Sequence, residues 1–345
     1  MAAIVIVFFH FGIKAPPFDN SFFRPLIVNA GLSVSYFFIL SGFVMVVAYS
    51  RKHRFFNTAQ YLTNRAARIL PLYYIAMILM LVYYFIRVNI LHTPSNYNVN
   101  SGDTLLNALL IQSWIPEKAF TINPPAWSLS VEAFFYLSFP FILSRLIKKL
   151  SVKSFVMMVL AFFIFSQLLF HFLIYEWPQN IYYFYFVPIL RLNEFMVGTA
   201  LGTLFLAQTK PLKYSIYGIL LIMIVSIFVL RTDISPVDLH NGLFALFFAP
   251  MIYLLALNQG TVNKVFSRKP LVFLGKISYG VYIFQFPVYF FFTSALTFAG
   301  YKINPPLFYV YLLILLIVSA LSHIYIEVPL RKRIRKLNYS TQTTI

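Results

Sequence analysis

Apolar runs of membrane length recur from one end of the chain to the other. A helix of about 20 apolar residues spans the hydrocarbon core of a bilayer, where a helix can pair its own backbone groups. Ten such runs can be marked: Met1–Gly12, Val28–Ser50, Ile69–Leu91, Trp127–Lys149, Phe155–Tyr175, Ile181–Ala207, Tyr214–Leu230, Asn241–Leu257, Ile277–Ala299 and Leu307–Val328. The pattern predicts an all-α integral membrane protein with about ten transmembrane helices, and Pro188 is expected to kink the sixth.

The first run is shorter than the others. Its twelve residues would cover about 18 Å as a helix, against about 30 Å of hydrocarbon core. It is either a half-helix or, as we favour, a first helix that is truncated at Met1.

The composition excludes an ordinary soluble domain. The chain is 60% hydrophobic and only 10% charged, whereas soluble domains carry about 25% charged residues. It has no cysteine, and so no disulfide or thiol chemistry. Because no linker or fixed repeat interrupts it, residues 1–336 are interpreted as one polytopic membrane domain, followed by a short polar cytoplasmic tail at 337–345.

The basic residues predict which side of the membrane each loop occupies. Five Lys and Arg residues fall within Arg51–Arg68, and a basic loop between two apolar runs belongs on the cytoplasmic side. With ten crossings both termini are cytoplasmic, and twenty Lys and Arg residues lie on that side against six on the other. The net charge of +18 therefore reflects topology and does not indicate nucleic-acid binding.

Two arginines stand one helical turn apart at the start of the third run. Arg65 and Arg68 share a helix face, where their guanidinium groups can bind a cytosolic phosphate compound. The alternative is that they serve only as topology signals.

Ionisable side chains at bilayer depth need a reason, because each costs at least about 2.5–3.5 kcal/mol. His10 lies toward the extracytoplasmic end of the first run. It is either a hydrogen-bonded interfacial histidine or a general base. Glu132 lies near the same outer side in the fourth run, and it is either a structural carboxylate that caps a neighbouring helix or a functional group.

Arg191 and Glu194 are three residues apart in the sixth run and can pair on one face. An internal ion pair is the favoured interpretation, and a substrate-binding role is the alternative. Gly198 and Gly202 have the spacing of a helix-packing face. No His, Cys and Asp cluster with metal-ligand spacing is found, so no metal is expected.

Several motifs together resemble acyltransferase family 3, the integral-membrane acyltransferases that modify bacterial cell-surface polysaccharides. The motifs follow the order of the chain: AAIVIVFFH ending at His10, SYFFILSGF around Tyr36–Phe43, NRAARILPLY at Asn64–Tyr73, PPAWSLSVEAFFYL containing Trp127 and Glu132, RLNEFMVG at Arg191–Gly198, LGKISYGVYIFQFPV at Leu274–Val288 and IEVPLRK at Ile326–Lys332. Three departures are visible. The family's basic residue eleven positions before the histidine would precede Met1, Ser35 stands where an acidic residue is usual, and Gln285 stands where many members have histidine.

The resemblance implies a multi-pass O-acyltransferase of the bacterial cytoplasmic membrane. Its donor would be a cytoplasmic acyl-CoA, most simply acetyl-CoA, as a substrate and not as a bound cofactor, and its acceptor a hydroxyl of an extracytoplasmic sugar or polysaccharide. His10 would act as general base or first accept the acyl group itself, and Glu132 would orient or charge-balance the imidazole. The residues expected to bind the donor or the acceptor are Arg65, Arg68, Trp127, Arg191 and Glu194.

Two functions from other classes are the alternatives. A transporter or flippase of lipid-linked sugar would use intramembrane charges without chemistry, and inverted repeats would favour it. A membrane polysaccharide polymerase or ligase would need a large outer loop with catalytic residues. The His92–Pro125 connection is modest and contains only Asp103 and Glu117 as acids.

Overall fold

The computed structural model describes residues 2–50, 56–92, 99–208, 215–232, 239 and 241–340. In this part of the chain the structure is helical, without strands. In chain order the α-helices are α1 (Ala2–Val7), α2 (Arg24–Val28), α3 (Ser33–Tyr49), α4 (Thr58–Phe85), α5 (Ser101–Ala108), α6 (Trp127–Phe141), α7 (Val152–Glu176), α8 (Ile181–Phe186), α9 (Leu192–Ala207), α10 (Ser215–Leu230), α11 (Ala245–Leu257), α12 (Thr261–Phe266), α13 (Lys269–Phe298), α14 (Leu307–Ser322) and α15 (Val328–Ser340). Basic residues of two predicted cytoplasmic loops lie outside the described residues: Arg51, Lys52, Arg54, Lys210 and Lys213.

Short π-helical segments continue several of these helices. They are Phe8–Gly12, Ile86–Ile90, Ile142–Ile147 and His323–Glu327. A π turn inserts a wider turn into the helix, and such turns often occur at functional sites. Two of them carry a histidine, at His10 and His323.

Within the described residues, six helices are long and apolar enough to cross a membrane. They are Arg24–Tyr49, Thr58–Ile90, Pro124–Ile147, Val152–Glu176, Lys269–Phe298 and Leu307–Ile334. Four shorter apolar helices are Ala2–Gly12, Leu192–Ala207, Ser215–Leu230 and Ala245–Leu257. The prediction of an all-α structure is therefore confirmed for the described residues, and the six long apolar helices are consistent with an integral membrane protein. The number of crossings and the side of each terminus stay predictions.

The sixth apolar run is broken and not kinked, so the expectation for Pro188 is wrong. α8 ends at Phe186, and Val187 is extended with φ −67° and ψ 121°. A proline disfavours helical geometry at the residue before it and has no N–H of its own. The chain turns through Pro188 and resumes as α9 at Leu192.

The helix that carries the two arginines begins earlier than its apolar run. Asn57 caps α4 by accepting a hydrogen bond from the backbone N–H of Gln60 at 3.0 Å. Arg65 and Arg68 therefore lie inside a regular helix, two to three turns after its start.

The backbone contacts divide the chain into two compact units. The first comprises Met1–Arg24, Asn57–Ser130 and Phe273–Ile345, and the second Pro25–Phe56 and Val131–Val272. The expectation of a single domain over residues 1–336 stays a prediction.

In the first unit, α4 and α13 run side by side in the same direction. The Tyr279 hydroxyl donates to the backbone oxygen of Ile69 at 2.7 Å, and Tyr83 and Ser294 share a hydrogen bond of 3.2 Å further along. α14 packs closely on α13, because a Cβ on Gly280 would lie 3.2 Å from the Cβ of Ser319. α15 packs along α4. These helices position the residues described below.

In the second unit, α3 and α9 cross at glycines. A Cβ on Gly198 would lie only 1.9 Å from the backbone oxygen of Ile39, and one on Gly42 would lie 2.2 Å from that of Phe195. Only glycine allows two helix backbones to approach this closely. The helix-packing role predicted for Gly198 is confirmed.

Candidate active site

His10 lies in the π-helical segment Phe8–Gly12, which directly continues α1. Its side chain is exposed, although the residues around it are largely packed. The centroid of its ring lies 5.1 Å from that of Phe286 on α13. The first unit therefore presents an accessible imidazole beside α13.

An aromatic wall holds the segment that carries this imidazole. Phe11 stacks on Tyr289 of α13 with ring centroids 3.9 Å apart, and it meets Tyr311 of α14 edge-on at 5.4 Å. A Cβ on Gly12 would lie 2.8 Å from the ring of Phe308, so the backbone is pressed against α14. Such aromatic contacts fix the position of the segment while the imidazole stays accessible.

Gln285 is a residue near this wall that sequence reasoning noted only as a departure from a family pattern. It is fully buried, and its Nε2 donates to the backbone oxygen of Tyr282 at 2.8 Å. Its Oε1 finds no hydrogen-bond partner among the described residues. The sequence showed only that Gln285 is a polar residue in an apolar stretch, one residue before Phe286. Its burial and its unsatisfied acceptor are seen in the structure.

The loop before α6 is fixed to α13 by buried hydrogen bonds that the sequence did not reveal. The Asn123 Nδ2 donates to the backbone oxygen of Ile283 at 3.0 Å, and the hydroxyls of Ser128 and Tyr282 share a hydrogen bond of 2.8 Å. Trp127 lies between these anchors and is partly exposed. Its position is therefore set by α13, the helix that also contacts His10.

Glu132 lies in the part of α6 that belongs to the second unit. Its Oε2 accepts a hydrogen bond of 2.8 Å from the hydroxyl of Tyr136, one turn later in the same helix. The expected proximity of Glu132 to His10, which belongs to the first unit, stays a prediction.

Arg65 and Arg68 stand one turn apart on α4, as expected. Arg65 is half-buried, with its guanidinium carbon 6.0 Å from the centre of the Tyr61 ring, whereas Arg68 is exposed. A cation at this distance from a ring face is attracted to it. The two side chains thus differ in exposure: Arg65 lies against Tyr61 of its own helix, and Arg68 is exposed.

α13 contacts both the helix that carries the arginines and the imidazole of His10, so positions along α13 show how far apart they lie along the helix axis. Tyr279 binds the backbone oxygen of Ile69, the residue after Arg68, and Phe286 contacts His10. Phe286 follows Tyr279 by seven residues, which is about 10 Å along a helix axis. The two groups therefore lie at clearly different depths beside one helix.

Arg191 and Glu194 form a buried ion pair in the second unit. The Arg191 Nη1 lies 3.4 Å from the Glu194 Oε1, with exposed side-chain fractions of 2% and 0%. The guanidinium also lies over the ring of Phe38, 5.6 Å from its centre. The predicted internal pair is present, and a role in substrate binding stays a prediction.

Further polar groups surround this pair. Asn193 Nδ2 donates to the Ser166 hydroxyl at 2.9 Å and to the Asn241 backbone oxygen at 3.1 Å, and Gln167 Nε2 donates to the same oxygen at 2.8 Å. Gly242 has φ +90°, and a Cβ there would lie 2.9 Å from Asn193 Oδ1. The hydrogen bonds tie α7 and α9 together at the start of α9.

The described residues bring together no group of three or more His, Cys, Asp or Glu side chains that could hold a metal ion. In the described part of the chain, His323 has a carboxylate partner: its Nδ1 lies 2.8 Å from the Oε2 of Glu327.

The sequence is similar to those of known acyltransferases. A family model described as an acyltransferase domain matches residues 1–324. Acyltransferase MdmB of Streptomyces mycarofaciens is 36% identical over 125 residues, which are 35% of this chain and 30% of that protein. O-acetyltransferase OatA of Staphylococcus aureus is 21% identical over 329 residues, which are 88% of this chain and 53% of that protein.

The chain thus spans about a third to about half of the length of these relatives. No solved structure matches it significantly. The family model nevertheless covers nearly all of the chain and includes every residue assigned above to the candidate site. The chain belongs to this family of acyltransferase domains, the acyltransferase family 3 that its motifs resemble.

Proposed function

We propose that this protein is a membrane O-acyltransferase that moves an acyl group, most simply acetyl, from a cytoplasmic acyl-CoA to a hydroxyl of an extracytoplasmic sugar or polysaccharide. Family membership and the name of the relative OatA support the reaction class. The proposed location is a bacterial cytoplasmic membrane, which agrees with the distribution of basic residues between the two sides of the chain.

The observation that carries the proposal is the relation of two groups along α13. The arginine pair lies near the level of Tyr279, and the exposed imidazole lies beside Phe286. About 10 Å of helix axis separates these levels. A donor whose phosphates bind Arg65 and Arg68 can therefore extend its thioester arm along α13 toward His10.

In the proposed reaction His10 acts as general base. Its neutral imidazole takes the proton of the acceptor hydroxyl while the oxygen attacks the thioester carbonyl. The carbon–sulfur bond breaks, and the sulfur leaves with the proton that the imidazolium returns, so that CoA and the ester are formed. The alternative within the same proposal is that the imidazole first attacks the thioester carbonyl and expels the CoA thiolate. The acceptor hydroxyl then takes the acyl group from the imidazole, and its proton neutralises the thiolate.

The other residues have supporting roles in this proposal. Guanidinium groups make paired hydrogen bonds to phosphate oxygens, which suits Arg65 and Arg68. Glu132 would orient or charge-balance the imidazole, and the partly exposed face of Trp127 would contact the sugar. Arg191 and Glu194 form a buried pair, and a part in acceptor binding would have to act through that pair.

The proposal is tested in a deletion strain and with purified protein. Mass spectrometry of surface glycans should find an acyl group that is lost on deletion and restored by the wild-type gene but not by His10→Ala. Purified protein with acetyl-CoA and extracted glycan should release one CoA thiol for each ester formed. Glycan transport without CoA release would instead support the flippase, and altered glycan length without loss of acyl groups would support the polymerase or ligase.

A further inference from the structure

A chain of three charged or titratable side chains runs along the last long helix of the first unit. His323 Nδ1 lies 2.8 Å from Glu327 Oε2, and Glu327 Oε1 lies 3.7 Å from Arg331 Nη1. His323 and Glu327 belong to the π-helical segment between α14 and α15. Their side chains are 11% and 5% exposed, and that of Arg331 is 33% exposed. The chain thus leads from a buried imidazole to a partly exposed guanidinium.

A buried carboxylate here needs a physical reason. Burying a charge without partners is costly, and both oxygens of Glu327 are engaged by residues of its own helix. One explanation is purely structural: the carboxylate stiffens the helix across its π turn. That explanation does not account for Arg331, whose side chain extends from the buried pair to the surface.

The position of this chain follows from the packing of α13 and α14. Gly280 meets Ser319, and four residues beyond Ser319 the His323 ring meets Phe273 at 6.4 Å. Later residues of α14 therefore lie beside earlier residues of α13. The two helices are antiparallel, and Arg331 lies on the side where α13 begins.

α4 begins on that same side. It runs parallel to α13, with Ile69 at the level of Tyr279. Arg65 and Arg68 come before Ile69 in α4 and therefore lie toward the end at which α13 begins. α15 and the π-helical segment before it both pack against α4. The arginine pair and Arg331 therefore lie on neighbouring helices at the same end of the first unit.

The direction of the side chains brings the guanidinium groups of Arg65 and Arg331 closer in height than their backbones are. Helical side chains tilt toward the N-terminus of their helix. Arg65 lies about 6 Å from the level of Ile69 and tilts further away from it, whereas Arg331 lies about 18 Å from the level of Ser319 and tilts back toward it. The contact between Arg331 and Glu327 agrees with this backward direction.

We propose that Arg331 is a third phosphate-binding guanidinium of the donor site, and that Glu327 and His323 are its positioning residues. The inference rests on the proposed function, because it adds a residue to the same donor site. CoA carries a diphosphate and a separate ribose phosphate, so a pair of arginines on one helix and a third on the next suit its spread of charge. His323 holds one carboxylate oxygen of Glu327, and the other oxygen limits the directions open to Arg331.

The first experiment measures binding of CoA to the purified full chain in detergent by isothermal titration. Arg331→Ala should weaken binding about tenfold to a hundredfold, because a charge-assisted contact is lost. Arg331→Lys should recover part of the loss. Arg333→Ala is the matched control: it removes an exposed arginine two residues along the same helix and should leave Kd within about twofold, the size expected for a screened surface charge.

Repeating the titration with CoA that lacks the ribose phosphate identifies the group that Arg331 binds. If Arg331 contacts this phosphate, wild type and Arg331→Ala should bind the shortened ligand equally well. If it contacts the diphosphate, the difference between the two proteins should persist. Equal Kd values of Arg331→Ala and Arg333→Ala for intact CoA would overturn the inference.

A second experiment tests the positioning role. Glu327→Gln keeps the size of the side chain but removes its charge, and it should raise KM for acyl-CoA several-fold while kcat and KM for the acceptor are unchanged. In an Arg331→Ala background the same substitution should have no further effect on KM. Fully additive effects of the two changes would show that Glu327 acts on the fold and not through Arg331.

Two controls separate the possible failures. If the wild type itself does not bind CoA, the proposed function fails. If the wild type binds CoA and Arg331→Ala binds it equally well, only this inference fails. Binding is also measured in nanodiscs of neutral lipid and of lipid with an anionic headgroup. If Arg331→Ala lowers retention of the anionic lipid and leaves CoA binding intact, Arg331 binds a lipid phosphate and the inference is overturned.

Discussion

At the scale of single residues, His10 combines an exposed side chain with tightly packed neighbours. His10 is exposed although Phe11 and Gly12, which follow it, are packed against two helices. A general base needs this combination of a fixed backbone and an accessible ring. A histidine that served only as an interfacial packing residue would not need the rigid aromatic support on one side.

The corresponding prediction is that His10→Ala lowers acyl transfer by about 10²- to 10⁴-fold, because general base catalysis contributes that much. Binding of CoA, measured by titration, should be unchanged, since the arginines are untouched. His171→Ala is the control, an exposed histidine in the apolar helix α7, and should transfer normally. Near-normal transfer by His10→Ala would exclude the role.

Arg68 carries the second prediction at this scale. Arg68→Ala should raise KM for acyl-CoA about tenfold or more, and Arg68→Lys should recover only part, because lysine cannot make the paired contact to phosphate. Arg145→Ala removes an arginine that is also exposed and predicted to be cytoplasmic and should leave KM unchanged. If Arg68→Ala instead inverts the protein in the membrane, the arginine is a topology signal.

At the scale of helices, the close crossing of α3 and α9 depends on glycine, which has no side chain, at Gly42 and Gly198. A Cβ on Gly198 would meet backbone and not a flexible side chain, so the helices would have to move apart. Overpacking of this kind costs about 1–3 kcal/mol.

Gly198→Ala should therefore lower the temperature of thermal unfolding by several degrees. Gly275→Ala is a sharp control, because Gly275 is also helical but a Cβ there meets nothing within 4 Å. Alanine is the better helix former by about 1 kcal/mol, so this variant should be as stable as the wild type or more stable. Equal melting temperatures for the two variants would show that the helices at this crossing can accommodate a methyl group on Gly198.

The sequence predicted the helices from hydropathy, but not where they break or widen. At Pro188 a kink and a break are both compatible with a missing N–H, and the sequence alone did not show that Val187 becomes extended and ends the helix. The start of α4 at Thr58 was hidden because polar and basic residues precede its apolar part. The π turn at His10 leaves no periodic signal, since it is a local insertion of one wider turn.

For the candidate site, residue identity was predictable but mutual geometry was not. The pair Arg191 and Glu194 could be predicted because three residues on a helix fix the spacing. The contact of His10 with Phe286 joins residues from opposite ends of the chain, and no local rule relates them. The His323–Glu327 pair has the right spacing for a contact on one helix, but its burial and its continuation to Arg331 depend on how the helices pack.

At the scale of the whole molecule, the asymmetry of basic residues predicts topology. Reporter fusions after Lys148 and Lys336 should be active only in the cytoplasm, and one after Lys118 only outside, because the predicted topology places twenty basic residues on the first side and six on the second. A fusion within the outer loop at Glu117 should agree with the one at Lys118. An external signal after Lys148 would contradict both the crossing count and the direction of transfer.

The buried pair of Arg191 and Glu194 also restricts how this protein can change over evolutionary time. Loss of either partner leaves the other charged and buried, which costs about 3–5 kcal/mol, whereas replacing both by apolar residues of similar size is often neutral. The double variant Arg191→Met with Glu194→Leu should melt closer to the wild type than either single variant does. Lineages that change one position at a time must therefore pass through a poorly folded ancestor, and the charged pair can persist for lack of an accessible route to its apolar replacement.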